Sequence, residues 1–200
     1  LGFGLLGFFD DVSGSKARRG FRGHLKALAK GDLTTGAVKL VLGMGFGLAL
    51  GYTYMDWGGA KGILSLGYGI LAGIIIAGMA NVLNLFDLRP GRAGKMFLVG
   101  ALAILAFSGR GLFLLMPFTG ALVGYLPYDL KGEVMLGDTG SNGFGALLGT
   151  CIVTLLPPGI WFVTAAVIIA LHILAEKISF SKVIEGNALL RLMDGWGQKP

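Results

Sequence analysis

Charge is what this chain has least of: 14% of its 200 residues are charged, against roughly 25% in an ordinary soluble domain. A soluble helix keeps a polar face toward water, and the apolar stretches 37–55 and 62–86 have almost none. Cysteine is nearly absent as well. The single Cys151, inside an apolar run, excludes an intramolecular disulfide and a cysteine-held metal cluster. Histidine occurs only at His24 and His172, isolated from each other. His24 reads as a loop residue or lipid-phosphate contact rather than a metal ligand, and His172, within an apolar run, as a packed, hydrogen-bonded side chain. No recognition fold accompanies the net charge of +6, so nucleic acid is not an expected partner.

What is abundant is hydrocarbon and glycine. Hydrophobic residues make up 54% of the chain, and stretches of about 20 residues at 1.5 Å rise cross a hydrocarbon core of roughly 30 Å. The 36 glycines sit among Leu, Ile, Ala and Phe, as in Gly43-Met44-Gly45-Phe46-Gly47. There they allow close helix–helix approach and do not mark low-complexity sequence.

The expected fold is therefore all-α, a polytopic transmembrane helix bundle whose first partner is the lipid bilayer. One span ends over 1–9, and about six further spans lie near 37–55, 62–86, 95–108, 111–127, 140–156 and 158–175. Spans 95–108 and 111–127 are short and share a tight turn at Ser108-Gly109-Arg110. The chain opens Leu1-Gly2-Phe3-Gly4, already within an apolar segment. The expectation is that further N-terminal spans precede it.

The basic residues orient the bundle. Alternation places 10–36 (a basic loop), 87–94, 128–139 and the tail 176–200 on one side, all within a single domain over 1–200. That side carries Lys16, Arg18, Arg19, Arg22, Lys26, Lys30, Arg89, Arg92, Lys131, Lys177, Lys182, Arg191 and Lys199, with Lys95 at a boundary. The other carries only Lys61 and Arg110. The positive-inside rule makes the first side cytoplasmic, and its basic surface suits anionic headgroups and phosphorylated substrates.

Four polar clusters fall on that side: Asp10-Asp11, Asn81 to Asp87, Gly137-Asp138-Thr139-Gly140-Ser141-Asn142, and the tail 176–194. Asp56 is the only acid assigned to the opposite side, so the carboxylates point to one shared site. Adjacent carboxylates at Asp10-Asp11 repel unless a cation compensates; the alternative is a helix cap for a segment beginning at Val12. Asn81, Asn84 and Asp87 recur every three residues and share one helix face. Interhelical hydrogen bonding also accounts for the two amides. Pro90 and Gly91 then stop the helix, with Arg89, Arg92 and Lys95 around the turn as phosphate partners. The cluster 137–142 offers oxygen ligands and a helix N-terminus suited to an anion, or simple capping by Asp138 or Ser141. Carboxylate oxygens favour magnesium over zinc.

In this order and on this side, the clusters resemble the polyprenyl-phosphate N-acetylhexosamine-1-phosphate transferase family. The carriers are Gly7-Phe8-Phe9-Asp10-Asp11, Asn81-Val82-Leu83-Asn84-Leu85-Phe86-Asp87 and Met135-Leu136-Gly137-Asp138-Thr139-Gly140-Ser141. The resemblance implies transfer of a sugar-1-phosphate from a UDP-sugar to a polyprenyl phosphate at the bacterial cytoplasmic membrane, releasing UMP, with magnesium or manganese as cofactor. It implies Asp10 as the base for the lipid phosphate, Asp11 as its positioner and Asp138 as the metal ligand. Asp87 joins them as a catalytic carboxylate, with Asn81 and Asn84 on the nucleotide side and Lys16, Arg89, Arg92 and Lys95 on the phosphates. The chain would then be the C-terminal two-thirds of a larger bundle, with a homodimer as the expected assembly. Two departures stand out. Leu88-Arg89-Pro90-Gly91-Arg92-Ala93-Gly94-Lys95 replaces the family's aspartate-rich continuation, and a stretch without histidine, 176–187, replaces its histidine-rich loop. The readings set beside this one are a non-catalytic binder of polyprenyl phosphate and a membrane transporter.

Overall fold

A computed structural model of the chain describes residues 1–13, 35–57, 63–108 and 111–198. These residues form helices and no strands, as the composition dictates. In order they are α1 (Gly2–Ser13), α2 (Thr35–Trp57), α3 (Ile63–Phe86), α4 (Arg92–Ser108), α5 (Leu112–Leu130), α6 (Gly137–Leu155), α7 (Pro158–Lys177), α8 (Phe180–Gly186) and α9 (Ala188–Gly195). Leu66–Phe86, Leu112–Leu130 and Pro158–Lys177 are each long and apolar enough to cross a membrane, and Val41–Thr53 is a shorter apolar stretch. Lys16, His24, Lys61 and Arg110 lie outside the described residues.

Helix α3 runs through the middle, packed against α2, α6 and α7, while α6 also packs on α1 and α4. Ile75, Ile76, Phe97, Leu148 and Trp161 are fully buried between them. Phe107, Phe113 and Val163 point outward, an apolar exterior that water does not favour and lipid does. Within the apolar helices, Thr150, Thr154 and Thr164 each return a hydroxyl proton to the carbonyl four residues back, so these hydroxyls need no water.

Glycine sets the spacing. A Cβ on Gly73 would come within 2.8 Å of the Gly47 backbone, and one on Gly149 within 2.7 Å of Ile76 Cα. Helix α3 is thus in backbone contact with α2 on one side and α6 on the other, the use expected of small residues in lipid. Gly47 does this for the glycine-rich run 43–47, whereas Gly45 faces open space.

Several boundaries differ from the sequence expectation, and four of them move polar motifs into helices. Helix α1 runs past the expected end at Phe9 to Ser13 and takes in Asp10 and Asp11. Helix α4 begins at Arg92, not 95, so Arg92 and Lys95 lie on a first turn. Helix α5 continues past Pro127 to Leu130 and carries Asp129 inside it. Helix α6 begins at Gly137, making the third motif its first turn. The ends of α1, α3, α5 and α7 and the beginnings of α4 and α6 meet at one end of the bundle, joined by the bonds described next.

Candidate functional site

The site begins where the end of α1 meets the beginning of α6. Asp11 lies in the last turn of α1, so the capping alternative for a segment starting at Val12 does not hold. Its carboxylate accepts from Asp138 N (3.0 Å), from Thr139 N (2.9 Å) and from Thr139 Oγ1 (2.6 Å). The first N–H groups of a helix lack intrahelical acceptors and carry partial positive charge. Asp11 satisfies them, and the negative end of α1 gains a positive neighbour. The anion expected at this helix N-terminus is thus a side chain of the protein itself.

Two glycines permit this. Gly137 has φ +62°, in the left-handed region, and a Cβ there would come within 3.0 Å of the Asp11 carboxylate. A Cβ on Gly7 would overlap the Asp138 carbonyl. Only glycine lets α1 lie this close to the third motif.

Asp87 stands beside this junction, just past the end of α3. Its carboxyl pKa is pushed up to about 7, first by burial and then by Asp129, Asp138 and Asp11, while the Gly137 N–H works against the rise. Its Oδ1 is buried with no hydrogen-bond partner. Of the expected carboxylates, Asp11, Asp87 and Asp138 therefore converge. Asp10 precedes them on α1, half-exposed.

The second motif's amides serve neighbouring helices. Asn84 Oδ1 accepts from Ser141 Oγ at 3.0 Å, tying α3 to the first turn of α6. Asn81 Nδ2 lies 2.7 Å from His172 Nε2 on α7, and His172 Nδ1 is 2.8 Å from Ile168 O. A carbonyl only accepts, so Nδ1 carries the hydrogen and Nε2 accepts from Asn81. His172 is the packed, hydrogen-bonded residue expected of it.

Arg89, Arg92 and Lys95, expected on substrate phosphates, are engaged by the C-terminal segment. Arg92, 3% exposed, forms a bidentate pair with Asp194 at 2.7 Å for both bonds and reaches Ser181 Oγ at 3.1 Å. Lys95 Nζ donates to the carbonyls of Met193, Asp194 and Trp196, and Arg89 pairs with Glu185. Arg92 holds the Asp194 carboxyl below its ordinary range, first through these hydrogen bonds.

Asp129 escaped the sequence reading. It is 0% exposed near the end of α5; Oδ1 accepts from Gly91 N at 2.9 Å and Oδ2 has no hydrogen-bond partner. The available signal was a carboxylate directly after an apolar run, a costly position that sequence reasoning assigned to a solvated loop.

Among the described residues, no three acidic, histidine or cysteine side chains are grouped closely enough to hold a metal by themselves. Magnesium does not require that, because it takes one or two carboxylates and shares the remainder of its shell with substrate phosphates and water. The unpartnered Asp87 Oδ1 beside Asp138 is a donor of the kind it takes, and the residues fit a magnesium ion on that ground.

The model of the family described as glycosyl transferase family 4 matches residues 1–156. A phospho-N-acetylmuramoyl-pentapeptide-transferase from Carboxydothermus hydrogenoformans is 31% identical over 218 aligned residues, covering 98% of this chain and 67% of that protein. One from Staphylococcus aureus is 27% identical, covering 99% of this chain and 67% of the relative. Another, from Thermotoga neapolitana, is 29% identical over 153 residues, 74% of this chain and 48% of the relative. No solved structure matches.

Proposed function

We propose, from the premise that the chain belongs to glycosyl transferase family 4, that it transfers a sugar-1-phosphate from a UDP-sugar to a polyprenyl phosphate and releases UMP. The lipid phosphate oxygen bonds to the phosphorus bearing the sugar, and the bond from that phosphorus to the UMP oxygen breaks. The observation that carries the reading is the joining of three separated motifs at one end of the bundle. Asp11 binds the first turn of α6, and Asp87 lies half-buried beside both with a buried, unsatisfied Oδ1.

Phosphoryl transfer depends on positioning and charge neutralisation. Asp138 and Asp87 would hold magnesium, which neutralises diphosphate charge when bound. Asp10, next to Asp11 on α1 and half-exposed, takes the proton of the lipid phosphate. Asp11 gives three acceptor positions to the first turn of α6, so its role is to position Asp138, and the proton transfer falls to Asp10. Asn84 fixes the α3–α6 register, and Asn81 fixes α3 against α7, beneath the nucleotide side. Arg89, Arg92 and Lys95 act through the tail that they hold, leaving Lys16 for the phosphates. The bias of basic residues supports a cytoplasmic site in a bacterial inner membrane, where a soluble nucleotide sugar and a bilayer-held acceptor both arrive.

The test is to incubate purified protein in lipid with magnesium, undecaprenyl phosphate and a panel of radiolabelled UDP-sugars, following UMP release. Wild type is expected to turn over one of them and Asp87→Asn and Asp138→Asn none. No UMP release from any UDP-sugar would overturn the reading.

A further inference from the structure

The C-terminal segment carries apolar side chains that are exposed among the described residues. On α8 and α9 these are Val183, Leu189, Leu192 and Met193, followed by Trp196; Leu192 is 72% exposed and Trp196 80%. Yet the segment is firmly held. Asn187 caps α9 by accepting from Leu189 N and Leu190 N at 3.0 and 3.1 Å. Arg92 and Lys95 grip Asp194 and the carbonyls around it, Gln198 Nε2 donates to Pro90 O at 2.8 Å, and Phe180 stacks on Phe86 with ring centroids 5.4 Å apart. Every tether lies where an apolar helix begins or ends: Phe86 closes α3, and Arg92 opens α4. That is the depth of the headgroups.

The charges at this depth are one-sided. The segment's acids Glu185 and Asp194 are paired with Arg89 and Arg92. Around them Lys177, Lys182 and Arg191 are exposed and outnumber the one further acid of residues 176–198, Glu176. An amphipathic helix with cations beside its apolar face, and a tryptophan at its end, lies in the interface of an anionic bilayer. The apolar surface is also continuous with that of α7, whose Ile173 and Leu174 face outward immediately before it.

We infer that residues 180–197 form an interfacial anchor, with Leu189, Leu192 and Trp196 inserted at the headgroup–acyl boundary of an anionic membrane. The expected cytoplasmic tail is then part of the membrane surface, and through Arg92, Lys95 and Gln198 the bilayer braces the turn that follows Asp87. The inference needs only that the bundle spans a membrane and is independent of the transferase reading.

Nitroxide labels at Leu189→Cys and Leu192→Cys test it in vesicles of phosphatidylethanolamine and phosphatidylglycerol at 3:1; the native Cys151 is buried and takes no label. Oxygen is expected to collide with both labels more often than a water-soluble nickel chelate does. Adding Lys182→Glu and Arg191→Glu should raise chelate collisions about twofold or more, since each cation contributes to attraction by anionic lipid. The unlabelled chain gives a second readout: lipids brominated near the headgroup should quench wild-type fluorescence more than that of Trp196→Phe. Labels open to the chelate mean an aqueous tail, and labels closed to both reagents mean a cover of protein such as a second copy. Either result overturns the inference, and neither bears on UMP release.

Discussion

Asp87 holds a proton in the folded chain that it does not hold in the unfolded one, because burial and neighbouring acids raise its pKa from 3.8 to about 7. Between those values the fold binds more protons than the unfolded chain, so its stability falls as pH rises through that window. Thermal unfolding of the metal-free protein should therefore occur at lower temperature at pH 8 than at pH 5, and Asp87→Asn should flatten the difference. A cation at the same carboxylate needs it ionised. Magnesium affinity, read by titration calorimetry, should thus rise between pH 5 and 7 in wild type with proton release, and lose most of that dependence in Asp87→Asn. Asp11 belongs to another class, since it orients other groups. Asp11→Asn is expected to lower kcat about 10–100-fold, as loss of a residue supporting a metal ligand does, with magnesium affinity weakened and not abolished. The Asp11, Asp87 and Asp138 carboxylates were legible in the sequence because charge beside an apolar run is conspicuous. Asp129 was not, because nothing in Tyr128-Asp129-Leu130 says whether the helix has already ended.

At the scale of helices, packing tolerance controls the site. Gly7→Ala would place a methyl group into the Asp138 carbonyl, and α1 must retreat from α6. The expected cost is about 1–3 kcal/mol, as for overpacking, with turnover lost together with the Asp11 bonds. Gly120→Ala, where a Cβ meets nothing within 4 Å, should leave both unfolding temperature and activity unchanged. Gly137→Ala adds backbone strain at φ +62° to a close contact with the Asp11 side chain, which can shift, and should lower activity without abolishing it. The span pattern was readable to within a few residues because hydrophobic runs fix where helices cross lipid. Their ends were not, because helix termini depend on tertiary hydrogen bonds: Arg92 joins α4, and Gly137 joins α6, through partners up to 127 residues away.

For the molecule as a whole, the buried pair of Arg92 and Asp194 closes the chain's end onto its middle. Arg92→Met leaves a carboxylate without its partner in a largely enclosed place and should cost about 3 kcal/mol. Asp194→Asn retains part of the hydrogen bonding and should cost less, as unfolding in detergent would measure. The contribution is present at neutral pH and is lost as pH falls below the ordinary carboxylate range, since Arg92 holds the Asp194 pKa down. The charge pattern foretold a basic face but not that the protein's own tail would occupy three of its cations, because pairing depends on how the tail folds back. The bond between Asp11 and the first turn of α6 joins residues 127 and 128 apart, and that separation dictates an order of biogenesis. Helix α1 leaves the ribosome long before α6 exists, so its carboxylate must wait at the membrane surface, hydrated, while the chain between them is made and inserted. Only the arrival of α6 supplies its donors at Asp138 and Thr139, so any nascent chain halted before Gly137 is inserted without its site assembled.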